Sequence, residues 1–263
     1  MKLITQRKRE THVFLACPSS SGTVHQTESY SFFMPQGLKI VCSIILQGSR
    51  LRRTGGTPND TDVVNGLHTI FETGLKVFAL GNHIMMEKEE LFLPQFRAIL
   101  RASALGNVSI MFPMVTSMEE VAAAKTLLEK AKKQLKDEKT AYNENIEIGV
   151  VIETPAAVMI SGELAREVDF FSIGTNDLLQ LTLGMDRENP KLDKYYNPYH
   201  PALMKMIRIV ANNVHLEGKR ISICGDLAAD LSMTEFFVQI GIDELSVAPH
   251  QVLGLRKKIR EIQ

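Results

Sequence analysis

The chain has no tryptophan, only three cysteines and no surplus of either charge, and each shortage removes a class of explanation. Cys17, Cys42 and Cys224 lie far apart with no CxxC pair, which argues against a disulfide framework or a zinc site and suits a reducing compartment. Lysine plus arginine equals aspartate plus glutamate at 30 each. No net basic field points to nucleic acid, and an anionic ligand must be held by local groups. The charged opening MKLITQRKRE is not followed by an apolar signal region, and no stretch reaches the roughly 18 apolar residues of a membrane span, so a cytoplasmic protein is expected. The histidines, His12, His25, His68, His83, His200, His215 and His250, show no metal-ligand spacing. No glycine-rich phosphate loop and no Ser-His-Asp arrangement is visible either.

What is present is an ordinary globular composition, 44% hydrophobic and 23% charged over 263 residues. That length suits one large α/β domain or two small ones, and single-domain barrels commonly use about 250 residues. From about Met86 onward, short β-branched runs alternate with amphipathic stretches, the pattern of repeated strand-helix units over a parallel sheet. The runs are VSIMFPM at 108–114, IEIGVVIE at 146–153, DFFSIGT at 169–175, RISICG at 220–225 and DELSVA at 243–248. Each is apolar enough to be buried on both faces.

Helix signals stand between them. Ser117 is placed to cap a helix with Glu120 closing a capping box, and Val121, Ala124, Leu128, Ala131 and Leu135 then form one stripe. Pro201 suits a first helical turn, Leu203, Met206, Ile207, Val210 and Val214 form a second stripe, and Gly218 suits a C-terminal cap. Residues 1–86 read differently. A serine-rich tract (SSSGTVHQTESYS) and a turn-rich tract (RRTGGTPND) separate three apolar runs, HVFLAC, LKIVCSIIL and LKVFALG, which are candidate strands, and 62–74 is a candidate helix.

Parallel strand-helix folds bind ligands beyond the carboxyl ends of their strands, so the residues that finish each run carry the chemistry. One run ends in Glu153, followed by a cap and a first-turn proline in Thr154-Pro155, and the next ends in Gly174-Thr175-Asn176-Asp177. Either acid alone reads best as a helix cap. Paired at adjacent strand ends, Glu153 and Asp177 suit one hard cation, and Mg²⁺ takes one or two protein carboxylates while leaving positions for water and substrate oxygens. Asn176 and Asp177 open a helix whose N–H groups can receive a phosphate or carboxylate. Arg187, ten residues after Asp177, is placed to fold back as a bidentate phosphate clamp, although a lone arginine is usually a solvated surface residue. Cys224 ends a strand beside Gly225, where a thiol is expected to exchange protons near neutral pH, whereas Cys17 and Cys42 read as core filler.

The segments RAILRASALG, IMFPM, IGVVIETPAA, DFFSIGTNDLLQ, MDREN and ICGDLAAD, taken in order, resemble the C-terminal phosphoenolpyruvate-binding domain of the Enzyme I family. These are the phosphoenolpyruvate-protein phosphotransferases of the sugar phosphotransferase system, in a superfamily with pyruvate phosphate dikinase and phosphoenolpyruvate synthase. The resemblance runs from about residue 87 to 262. It implies a TIM (β/α)₈ barrel of the phosphoenolpyruvate/pyruvate type over 87–263, after a divergent segment over 1–86 that is a candidate for degenerate barrel strands. It further implies that Glu153 and Asp177 hold Mg²⁺, that Asn176, Asp177 and Arg187 meet the substrate phosphate, and that Cys224 gives the proton that turns enolpyruvate into pyruvate. The implied partners are phosphoenolpyruvate and pyruvate, a phosphohistidine domain or carrier protein acting in trans, and a second copy of the chain in a homodimer.

The departures are specific. No counterpart of the family's phosphohistidine domain is recognisable, and the motifs of its first three barrel strands, including two substrate-binding arginines, are not found in residues 1–86. At about 1.5 to 3 kcal/mol for each charge-assisted contact, losing two corresponds to roughly 10² to 10⁴ in affinity. Arg50, Arg52 and Arg53 are candidate substitutes without a diagnostic spacing, and Asp226 stands where the family usually has glutamate. Five strand-helix units alone are too few to close an eight-stranded barrel. The alternative expectation is a non-catalytic, truncated phosphoenolpyruvate-binding or dimerisation module.

Overall fold

A computed structural model of the chain describes residues 31–33, 39–42, 77–79, 89–104, 108–187 and 189–262. The expected strand at 12–17, the expected helix at 62–74 and the arginines at 50, 52 and 53 lie outside these residues. The described strands are β1 (Ser31–Phe33), β2 (Lys39–Cys42), β3 (Val77–Ala79), β4 (Ser109–Phe112), β5 (Glu147–Ile152), β6 (Phe170–Gly174), β7 (Arg220–Cys224) and β8 (Glu244–Val247). All eight belong to one sheet in the order β1-β2-β8-β7-β6-β5-β4-β3. The described helices are α1 (Glu89–Ser103), α2 (Met118–Asp137), α3 (Pro155–Met159), α4 (Ser161–Glu167), α5 (Thr175–Leu183), α6 (Pro201–Leu216), α7 (Thr234–Gln239) and α8 (Val252–Glu261). None of them is long and apolar enough to cross a membrane.

The fold is a parallel α/β sheet of the barrel type. From β2 through β8 to β3, every neighbouring pair is parallel. Pairing of β2 with the last strand, β8, is the relation that winding a barrel creates between its first and last staves. β1 departs from that plan by pairing antiparallel with β2, Phe33 opposite Lys39. The reason is chain length. Only five residues, 34–38, separate the two strands, whereas a parallel crossover needs about a dozen or more. Among the described residues no hydrogen-bonded pairing joins β1 to β3, so the barrel is not closed by its strands. The divergence expected in the first three strands therefore takes this form: three short strands at the two ends of an otherwise regular parallel sheet.

The five expected strands stand on the five apolar runs, and β4, β6 and β8 are buried along their whole lengths. Helices return the chain between them. The stripe Val121, Ala124, Leu128, Ala131 and Leu135 of α2 is buried. Burying a Leu or Val side chain contributes about 1.5 to 3 kcal/mol, so the stripe outweighs the cap in holding this helix, a cap being worth about 1 kcal/mol. Ser117 does cap α2, accepting from the Glu120 N–H. Glu120 does not complete the expected box. Its carboxylate reaches one residue further back and accepts from the Thr116 N–H at 2.8 Å and hydroxyl at 2.6 Å, which satisfies a carboxylate that is itself buried. In α6, Pro201 is the first-turn proline, the His200 imidazole accepts from the Ala202 N–H, and Gly218 lies just past the end with φ of 65°. Four of the five stripe residues are buried and Met206 is partly so.

Candidate functional site

The strand ends of β4 to β7 share one mouth. Side chains alternate along each strand, which places Glu153 beyond the end of β5, Gly174 at the end of β6 and Cys224 at the end of β7, the last two directly opposite each other. Thr154 anchors the first of these. Its hydroxyl caps α3 by accepting from the Ala157 N–H and donates to the Val115 carbonyl at 2.7 Å, joining the exits of β4 and β5. Glu153 is 8% exposed, and its carboxylate accepts the Met114 N–H at 2.8 Å. Met114 takes a positive φ of 53°, an uncommon state for a non-glycine residue that aims this N–H at the acid.

Gly174 makes room for Glu153. A Cβ there would lie 2.6 Å from Glu153 Cγ and 2.7 Å from Oε1, so any side chain would push the carboxylate aside. Gly174 also precedes α5 without offering a side-chain cap, leaving the first-turn N–H groups of Thr175, Asn176 and Asp177 at the positive end of the helix. Gly225 makes room in the same way just past β7. Its φ is 98°, and a Cβ would lie 2.5 Å from Thr175 Oγ1 and 2.9 Å from Asn176 Oδ1. Thr175 donates to the Cys224 carbonyl at 3.0 Å, and Asn176 Oδ1 accepts the Asp226 N–H at 3.1 Å. The side-chain NH₂ of Asn176 remains as its donor.

Arg187 does fold back. Gly184 ends α5 in the left-handed conformation, and the Arg187 N–H donates to the side chain of Gln180 in the same helix. The guanidinium Nη1 comes to 3.5 Å from Asp177 Oδ1, and this nitrogen is buried without a hydrogen-bond partner among the described residues. The structure thus brings Glu153, Asn176, Asp177, Arg187 and Cys224 to one mouth. Their coupling is visible in the acidity of Glu153. Burial raises its carboxyl to about 7; the Met114 N–H opposes that, the Asp177 charge adds to it and the Arg187 charge opposes it. A half-buried Tyr196 also belongs here. Burial raises its phenol, with Arg187 opposing and Asp226 and Asp177 adding.

Cys224 differs from expectation in one respect. Burial pushes its thiol up to about 12, Ser172 opposing and the charges of Glu153 and Asp177 adding, so it holds its proton at neutral pH instead of exchanging there. The strand-end position was legible, but the surrounding apolar packing and carboxylates decide the acidity. Met114, Gly174, Gly225, Ser172 and Tyr196 were not singled out from sequence. The two glycines carry a signal, since each stands at a strand end beside a candidate acid or thiol. Tyr196 carries none.

Two hard oxygen donors, Glu153 and Asp177, fit a divalent cation of the Mg²⁺ kind, which asks for few protein ligands. The raised pKa of Glu153 marks a carboxylate whose ionised form is disfavoured by burial, a cost that a bound cation would offset. Among the described residues no three His, Cys, Asp or Glu side chains gather as a self-sufficient metal cluster, so a cation here would draw its remaining ligands from water or a bound anion.

The family model for the PEP-binding domain of PEP-utilising enzymes matches residues 80–263. A phosphoenolpyruvate-protein phosphotransferase of Haemophilus influenzae is 42% identical over 179 residues, covering 68% of this chain and 31% of that protein. One of Buchnera aphidicola is 44% identical over 178 residues with the same coverages, and one of Bacillus subtilis is 39% identical over 179 residues, again with the same coverages. The chain thus spans about a third of the length of the curated relatives it matches. Among solved structures, a Haloferax volcanii malate synthase in a magnesium/glyoxylate complex has a TM-score of 0.56 at 14% identity, covering 81% of this chain and 63% of that one. A citrate lyase of Burkholderia xenovorans has a TM-score of 0.50 at 15% identity, covering 75% and 73%. At these identities the likeness is one of fold.

Proposed function

Because the chain belongs to the PEP-utilising enzymes through its PEP-binding domain, we propose that its strand-end mouth binds phosphoenolpyruvate with Mg²⁺, in the cytoplasm, for phosphoryl transfer to a histidine on a separate domain with release of pyruvate. The observation that carries this reading is the buried guanidinium edge of Arg187. Its Nη1 has no hydrogen-bond partner among the described residues and sits 3.5 Å from Asp177, itself in the first turn of a helix. A buried donor left unsatisfied is costly, and a phosphate oxygen is the acceptor for which a guanidinium fork is shaped.

Each residue then has a task. Glu153 and Asp177 would hold Mg²⁺, which when bound supplies positive charge to the phosphate oxygens. Arg187 and the Asn176 NH₂ orient the phosphate, and the N–H groups opening α5 face it with the positive end of the helix dipole. Met114 fixes the Glu153 carboxylate through its N–H. Cys224, which keeps its proton at neutral pH, is the acid that protonates the enolpyruvate carbon once the phosphoryl group has left. The acceptor histidine belongs to a phosphohistidine domain or carrier protein in trans.

Calorimetric titration with phosphoenolpyruvate tests the site. Binding that requires Mg²⁺ and disappears in Asp177→Asn is the expected result, and no binding under either condition would refute it. Pyruvate release on adding a phosphohistidine domain tests the transfer. Binding without release favours the alternative, a non-catalytic binding module.

A further inference from the structure

Ser172 lies in the middle of β6, two residues before Gly174, and is completely buried. Its hydroxyl donates to Cys224 Sγ at 3.2 Å across the β6–β7 pair. The thiol in turn points at the Ile173 carbonyl, 3.4 Å away. Ser222, opposite Ser172 in the same pair, donates instead to the Phe171 backbone carbonyl at 3.1 Å. A backbone carbonyl is the ordinary acceptor for a buried serine, and a neutral thiol sulfur is a poor one. Directing a fully buried hydroxyl at sulfur is therefore weak use of a donor while the thiol stays neutral. It becomes strong use once the sulfur is an anion, because hydrogen bonds to ionised acceptors are about twice as strong.

We propose that Ser172 is a positioning residue for Cys224, holding Sγ in place and hydrogen-bonding the thiolate that remains after the thiol has given up its proton. The inference rests on the phosphoenolpyruvate reading of the site. In the step concerned, the S–H proton passes to C3 of the pyruvate enolate, whose double-bond electrons form the new C–H bond as the C2 carbonyl is restored. The former S–H electron pair stays on sulfur, and water later returns a proton to it. The thiolate arises at a buried sulfur, and burial is what disfavours it most. A donor whose bond strengthens as the charge appears stabilises the transition state more than the ground state.

The test follows exchange of the methyl protons of pyruvate with D₂O by NMR, using the full chain with Mg²⁺, so that no phosphoryl acceptor is needed. Ser172→Ala is expected to slow exchange about tenfold or more at an unchanged KM for pyruvate and to move the pH profile of the rate to higher pH. Ser172→Thr, which keeps a hydroxyl, is expected to retain exchange. In the metal-free chain, alkylation by iodoacetamide, followed at the Cys224 peptide by mass spectrometry so that Cys17 and Cys42 are not counted, is expected to be about tenfold slower in Ser172→Ala. If Cys224→Ala abolishes exchange while Ser172→Ala exchanges and alkylates like wild type, or faster, the role of Ser172 is overturned and the site reading stands. If wild type shows no exchange, or Cys224→Ala exchanges at the wild-type rate, the site reading and the inference fall together.

Discussion

Replacing Glu153 by glutamine sets stability and binding against each other. Glutamine has the shape of the protonated acid and can keep the Met114 hydrogen bond through its carbonyl oxygen, while the space that Gly174 leaves for the side chain is unchanged. In the wild type the folded carboxyl titrates at about 7, above its ordinary value of 4.5, because it is buried. Between those values the folded chain holds a proton that the unfolded chain has released, so stability falls as pH rises through this window and levels off above it. The span corresponds to roughly 3 kcal/mol. Glu153→Gln is therefore expected to lie within roughly 0.5 kcal/mol of wild type at pH 4.5 and to be about 3 kcal/mol more stable at pH 8 without Mg²⁺. Urea unfolding at the two pH values, read as a shift of midpoint at constant m, measures both differences. Adding Mg²⁺ at pH 8 should raise the wild-type midpoint and leave that of the variant unchanged. A variant destabilised at pH 8, or shifted equally at both pH values, would refute the claim that this acid is held ionised against its surroundings.

Three further outcomes follow from the same geometry. Gly174→Ala places a methyl group 2.6 Å from Glu153 Cγ; it should cost roughly 1 to 3 kcal/mol in urea unfolding and remove the Mg²⁺-dependent rise in midpoint, and retention of that rise would show that Glu153 is not where the cation binds. Arg187→Lys keeps the charge but loses the fork, and should weaken phosphoenolpyruvate binding about 10- to 100-fold by calorimetry; unchanged affinity would remove Arg187 from the site. Gly225→Ala combines a φ of 98° with a Cβ 2.5 Å from Thr175 Oγ1, so it should destabilise by more than about 1 kcal/mol; a neutral result in urea unfolding would mean that this loop relaxes freely.

Much of the parallel sheet could be read in advance because its strands are buried on both faces and so appear as unbroken apolar runs. Residues 108–114, 146–153, 169–175, 220–225 and 243–248 each hold the expected strand. Local chemistry was legible for a different reason. Ser117, Thr154 and Pro201 mark helix starts through hydrogen bonds and φ constraints spanning a few residues, and all three do so here. Glu120 shows where local reasoning stops. Two acceptable partners lie within four residues of it, and the pairing with Thr116 depends on the path of the chain arriving from β4. β1 shows it again, since three residues at the end of a serine-rich tract carry no strand signal until β2 offers a partner.

The sequence alone determined which residues finish each strand, because alternation and apolar runs are properties of neighbours along the chain. It could therefore put Glu153, Asp177 and Cys224 at strand ends and Asn176 at a helix start. Only the tertiary structure decided how those groups act on one another. The raised pKa values of Glu153 and Cys224, the return of Arg187 to Asp177 and the aim of Ser172 at the sulfur all depend on distances through space that no local pattern encodes. Burial and charge act across those distances, and which carboxylate meets which guanidinium is set only when the sheet brings its strand ends side by side.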